Sequence, residues 1–176
     1  RLGAALAKLP GVTPPAAPPG RTSVHHKYRV HLDPAAAGLP LTPRALRDVM
    51  IRALRAEGLE VVLWQDKPLP AQGLFQKRMG YGDGWPFSTA PGSRLAESYD
   101  PARYPGTQRL LDGSLLLFSQ SYPFIGQSEA VVDRYAETFA KVWHHRSAIA
   151  DRALAEGWVS GSVLRPSALP ASARAS

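Results

Sequence analysis

Prolines and glycines decide where this chain can hold regular structure. There are 17 Pro and 15 Gly among 176 residues, about 18% against an ordinary ~12%. Four Pro fall within residues 12–23, and turn formers crowd residues 66–109. Amphipathic segments are therefore confined to what lies outside these stretches. The hydrophobic fraction of 44% is that of a folding chain, and the length fits one domain of ordinary size. Such a chain buries roughly 70% of its unfolded surface. No window approaches the ~20 consecutive apolar residues of a membrane span. The absence of Cys excludes a disulfide framework, a thiolate zinc site and a cysteine nucleophile.

Leu2, Leu6 and Leu9 recur at helical spacing from the first residue. No capping residue and no basic-plus-apolar targeting segment precedes them. This reads as a chain entered partway through a helix, the C-terminal piece of a larger protein. Pro10 and Gly11 stop that helix, and residues 12–23 form an extended connector. The segment His26–Leu32 alternates polar and apolar residues, as a half-buried strand does, with Tyr28, Val30 and Leu32 toward the core. Asp33-Pro34 ends it, and a loop runs to Pro40.

Thr42-Pro43 opens the next helix, with Thr42 as N-cap and Pro43 in the first turn. It runs to Glu57, and Gly58 closes it. Leu46, Val49, Met50, Ala53 and Leu54 share its apolar face. Arg44, Arg47, Asp48, Arg52 and Arg55 share the solvated one, with Arg44–Asp48 and Asp48–Arg52 as i,i+4 pairs. Residues 59–65 read as a second strand.

Residues 66–109 lack periodicity but carry Phe75, Tyr81, Trp85, Phe87, Tyr99 and Tyr104, which points to a packed, covering loop. Leu115–Ser119 is a third strand. Ser128 caps an amphipathic helix over 129–145, whose apolar face holds Val131, Val132, Tyr135, Phe139, Val142 and Trp143. A short helical segment follows over 147–156, and a Ser/Ala/Pro-rich tail from residue 161. The order α-β-α-β-loop-β-α gives a small α/β layer, a sheet with helices on one face.

The net charge is +7, which raises nucleic acid or acidic substrates as partners. The basic residues are scattered, however, and a nucleic-acid-binding domain is the minor reading. His25-His26 opens a strand, so the two side chains point to opposite faces, and His144-His145 lie about 100° apart on a helix. Neither pair gives one ion two ligands, so no metal site is assigned. Gly80-Tyr81-Gly82-Asp83-Gly84 precedes Trp85-Pro86 with no helix start and no Lys-Ser/Thr, so it reads as a turn and not a phosphate loop.

Six stretches, in order, carry a resemblance. They are Arg1–Val12 with Leu9-Pro10-Gly11-Val12, then His26–Val30, then Leu54–Val61 around Gly58. Next come Pro68-Leu69-Pro70-Ala71-Gln72 with Phe75, then Tyr104–Leu110, then Leu117-Phe118-Ser119-Gln120-Ser121 before the closing helix. As a set they resemble the C-terminal small domain of the DegT–StrS sugar aminotransferases, pyridoxal-phosphate enzymes of fold type I. The likeness runs to about residue 145. Two family histidines are replaced here by Pro70 and Gln120, and a family proline by Phe118, which marks a divergent branch with its own substrate.

The resemblance implies a three-layer-derived α/β sandwich with a short, mainly antiparallel sheet and helices on one face. Residues 1–11 would end the inter-domain helix, 12–160 would form the small domain with 66–109 as its long loop, and 161–176 would be a tail. It implies a cytoplasmic enzyme that moves an amino group from an amino acid to a keto sugar or cyclitol, with pyridoxal phosphate as electron sink. The family's Ser-x-x-Lys Schiff-base motif does not occur around Lys8, Lys27, Lys67, Lys77 or Lys141. The cofactor and all catalytic residues would thus belong to a large domain, with which this chain and a homodimer mate would assemble, and this chain alone would be inactive. By position, Trp64, Gln65, Tyr81, Gln120 and Tyr122 would line the substrate cleft, amides bonding hydroxyls and rings stacking on sugar faces, with Trp85 a weaker candidate. The alternative is a non-catalytic carbohydrate-binding or assembly module of the same fold.

Overall fold

The structure is a computed structural model, and it describes residues 1–78, 80–82, 84–89 and 99–158. The tail read from residue 161 lies outside them. The chain divides into two compact units, Arg1–Trp64 with the chain from Gly113, and Gln65–Asp112.

The first unit is an antiparallel sheet with helices packed on it. Strands β1 (Val12–Thr13), β2 (Tyr28–Leu32), β3 (Val61–Val62) and β4 (Ser114–Leu117) lie in the order β1-β2-β4-β3. Tyr28 pairs with Leu117, Val30 with Leu115, and Val61 with Leu117. The expected inward row Tyr28, Val30, Leu32 is buried. It joins Leu115 and Leu117 in one core with Leu46, Met50 and Leu54 of α2 (Pro43–Ala56). Side chains Tyr135, Phe139, Val142 and Trp143 of the long C-terminal helix complete that core. The α/β class read from the sequence is the fold observed.

Three local signals set this frame. Thr42 accepts a hydrogen bond from the Ala45 amide, and Pro43 fills the first turn. At the other end of α2 the Leu59 amide reaches Leu54 O and the Gly58 amide reaches Arg55 O, a Schellman closure with Gly58 at φ +84°. Gly11, at φ +77°, lies so close to Asp33 that a Cβ would sit 2.6 Å from its carbonyl oxygen. Only glycine lets the turn after α1 (Leu2–Leu6) close on the end of β2.

Several expectations are corrected. The connector after residue 11 begins with a strand, because Val12 and Thr13 pair with Leu32 and His31. The second strand is two residues long where 59–65 was expected, and the third runs Ser114–Leu117 where Leu115–Ser119 was expected. His25 precedes β2 with a positive φ, so the strand does not start at the histidine pair. Arg47 is not solvated: it is 3% exposed, and its Nε and Nη2 hold Asp48 Oδ1 at 2.8 and 2.7 Å. The expected Asp48–Arg52 pair is not formed; the Arg52 guanidinium covers Trp158 instead.

The second unit shows that residues 66–109 are not one irregular loop. Its described residues form α3 (Gly73–Gln76), α4 (Pro105–Asp112) and short 3-10 turns such as Leu69–Ala71. Phe75, Phe87 and Tyr99 meet there with ring centroids 5.1 to 6.5 Å apart. Gln76 ties the cluster by donating to Pro70 O and Tyr99 O. A small aromatic core thus stands in for periodic apolar residues.

In the first unit β4 leads to α5 (Glu129–His144) and α6 (Arg146–Ala155). Helix α1 lies against α5, where Arg1 pairs with Glu129 and Asp133 and the Trp143 indole donates to Pro10 O. Among the described residues no helix is long and apolar enough to cross a membrane.

Candidate functional site

The chain leaves β4 through Phe118, a non-glycine residue at φ +65°. Such a conformation costs about 1–2 kcal/mol for an L-residue and persists where surroundings over-determine it. Here the Phe118 amide donates to Glu60 O at 2.8 Å. Its ring stacks on Tyr135 with centroids 4.0 Å apart and planes 16° off parallel. Phe124 and Tyr122 flank it at 5.2 and 6.2 Å. The next residues close a tight turn, in which the Ser119 amide donates to Tyr122 O and Ser119 Oγ accepts from the Tyr122 amide.

This turn forms one wall of an open groove of about 840 Å³. Ser119, Ser121 and Tyr122 line it on that side, the α2–β3 turn with Arg55 and Glu60 on another, and Arg134 and Tyr135 of α5 on the third. The walls are braced. Arg55 Nε donates to Val61 O at 2.7 Å, and the Tyr135 hydroxyl accepts from the Glu60 amide at 2.9 Å. Burial pushes the Tyr135 hydroxyl above its ordinary pKa, so it stays protonated and keeps a hydrogen to donate. Two guanidinium groups, three hydroxyl side chains besides Tyr135, and the carboxylates of Glu57 and Glu60 therefore line one concave space. That set suits a ligand with many hydroxyls, because each hydroxyl both donates and accepts.

Of the residues singled out from sequence, Tyr122 lines this groove. Gln120 sits in the same turn, exposed, outside its lining. Trp64 is 45% exposed and lies beneath Lys27, whose Nζ is 3.5 Å from the ring centroid. Gln65 and Tyr81 belong to the second unit. Tyr81 is 80% exposed there, bridged to Trp85 by two backbone hydrogen bonds, with the rings 6.5 Å apart. Gly80 permits that hairpin, since a Cβ would lie 2.1 Å from Trp85 O.

Sequence reasoning missed Arg55, Arg134 and Tyr135. Helical periodicity assigns the first to a solvated face and the last to the core, and no local pattern tells that both border one groove. Across the first unit several cations are already matched: Arg1 by Glu129 and Asp133, Lys141 by Glu57, Arg152 by Glu156. Compared with known proteins, the chain matches no family model and no curated protein.

Proposed function

We propose that this chain is the substrate-facing small domain of a pyridoxal-phosphate-dependent sugar aminotransferase of the DegT–StrS type. The reading draws on the six ordered stretches, whose small-domain architecture has an antiparallel sheet with helices on one face. The observation that carries it is the groove at the end of β4. It is built around the Ser119–Tyr122 turn, where the resemblance puts a substrate-facing segment, and it is lined by hydroxyls and guanidinium groups.

The chain's own residues do not fit pyridoxal phosphate. No lysine lines the groove. Lys27 is spent on Trp64 and Lys141 on Glu57, while Lys8, Lys67 and Lys77 are exposed. The cofactor would be held by a large domain, and this chain's part is recognition. Ser119, Ser121 and Tyr135 bond hydroxyls of a keto sugar or cyclitol, and Tyr122 covers a ring face. Phe118 gives the wall its own shape: the family's proline has φ fixed near −65° and cannot follow a backbone at +65°. A substrate particular to this branch follows from that difference.

The test is a titration of the isotope-labelled chain with scyllo-inosamine and with glucosamine, followed by amide chemical shifts. Shifts should concentrate at Ser119–Tyr122, Arg134 and Tyr135, and Tyr122→Ala should weaken binding about tenfold, or ~1.4 kcal/mol. Shifts scattered over both units, or none at millimolar ligand, would overturn the reading.

A further inference from the structure

A second groove lies on the helical side of the first unit, between α2, α5 and α6. It holds about 530 Å³ and shares only Glu57 with the groove at Tyr122. Its apolar surface comes from Ala53, Val142, Ile149 and Trp158. Trp158 is delivered by a second Schellman closure. Gly157 stands at φ +69°, its amide reaches Leu154 O, and the Trp158 amide reaches Ala153 O. The segment Ala155-Glu156-Gly157-Trp158 thus repeats at α6 what Ala56-Glu57-Gly58-Leu59 does at α2.

The charges around this groove do not cancel. Lys141 is matched by Glu57 at 2.7 Å and Arg152 by Glu156 at 2.8 Å. Arg52 makes no direct ion pair among the described residues; the Glu156 carboxylate, held by Arg152 and bonded by Trp158, feels its charge only at longer range. The Arg52 guanidinium rests on the Trp158 ring, Cζ 3.7 Å from the centroid. Stacking uses the face of a guanidinium and leaves its in-plane N–H donors for a planar, bidentate acceptor. His145 on the rim adds a further donor.

We infer that this groove binds a small amphipathic anion, a flat apolar body bearing one carboxylate. The body lies against Trp158, Ile149 and Val142, and the carboxylate takes the free edge of Arg52. Arg52, Lys141 and Arg152 against Glu57 and Glu156 leave the lining one positive charge in excess, which one carboxylate balances, and the volume is that of a small-ligand pocket. The inference stands apart from the aminotransferase reading.

Naphthoate and its neutral analogue naphthamide are the probes, titrated into the full chain by calorimetry. Naphthoate should bind at one saturable site, and naphthamide at least about tenfold more weakly. Arg52→Gln should weaken naphthoate by a similar factor. Arg52→Lys, which keeps the charge and loses the fork, should fall between, and serves if the Gln variant does not fold. Tyr122→Ala should leave naphthoate affinity unchanged. Equal affinity for acid and amide, an Arg52 variant that binds as the parent does, or no naphthoate binding would each overturn the inference.

Discussion

Phe118 concentrates the physics of the candidate site in one residue. Its backbone is where an L-residue is strained, and its ring is what holds it there, 3% exposed against Tyr135, Phe124 and Tyr122. Two substitutions separate the effects. Phe118→Ala loses the ring, at about 3–5 kcal/mol, and keeps a Cβ at positive φ. Phe118→Gly loses the same ring but releases the strain. Glycine is ordinarily the worse substitution in regular structure, yet here the Gly variant should be the more stable by about 1 kcal/mol. Urea unfolding of the pair checks this, and the reverse order would show that the positive φ does not govern the site. Nothing in the local sequence announces this conformation, because Phe is not a residue that seeks it. Arg47 teaches the same lesson: helical spacing puts it with the solvated arginines, while packing buries it beside Asp48.

At the scale of elements, ends were more legible than lengths. Thr42, Gly58 and Ser128 each act within three or four residues, and each does what its side chain or its lack of one permits. Thr42→Ala should therefore cost about 1 kcal/mol, with faster hydrogen exchange at the Ala45 amide, whose partner is removed. Thr42→Ser should retain both, and an unchanged Ala45 exchange rate in the Ala variant would refute the cap's role. Strand lengths were misjudged because a ladder needs a partner. β3 pairs with β4 only through Val61 and Val62, although the apolar pattern runs further. β1 is not legible because two residues carry no period, and α4 because it begins inside the stretch crowded with turn formers, where Pro105 in fact fills a first helical turn. The groove proposed for an amphipathic anion likewise needs three helices at once, which no single amphipathic pattern encodes.

At the scale of the whole molecule, Tyr28 at the start of β2 is one of two buried tyrosines, with Tyr135, that tie stability to alkaline pH. Its hydroxyl lies 3.3 Å from where a Cβ on Gly3 would be, its ring packs with Phe124, and it is 4% exposed. Burial pushes its pKa from 10.0 up to about 12. The folded protein holds the neutral phenol, whereas the unfolded chain ionises near pH 10. The stability this group contributes is therefore complete below pH 10 and is lost as pH rises toward 12. Two pKa units amount to roughly 2–3 kcal/mol. Tyr28→Phe should flatten the fall in unfolding free energy between pH 10 and 12, and equal slopes in variant and parent would count against burial as the cause. The amino-acid sequence by itself determined the α/β class, the core face of β2, the apolar faces of α2 and α5, and the caps. These depend on period and on contacts a few residues apart. Only the tertiary structure decided the strand order, the division into two units, the positive φ at Phe118 and the company of Arg55 with Arg134 and of Arg52 with Trp158. Those follow from packing between residues tens of positions apart, where burial and shape outweigh any local preference.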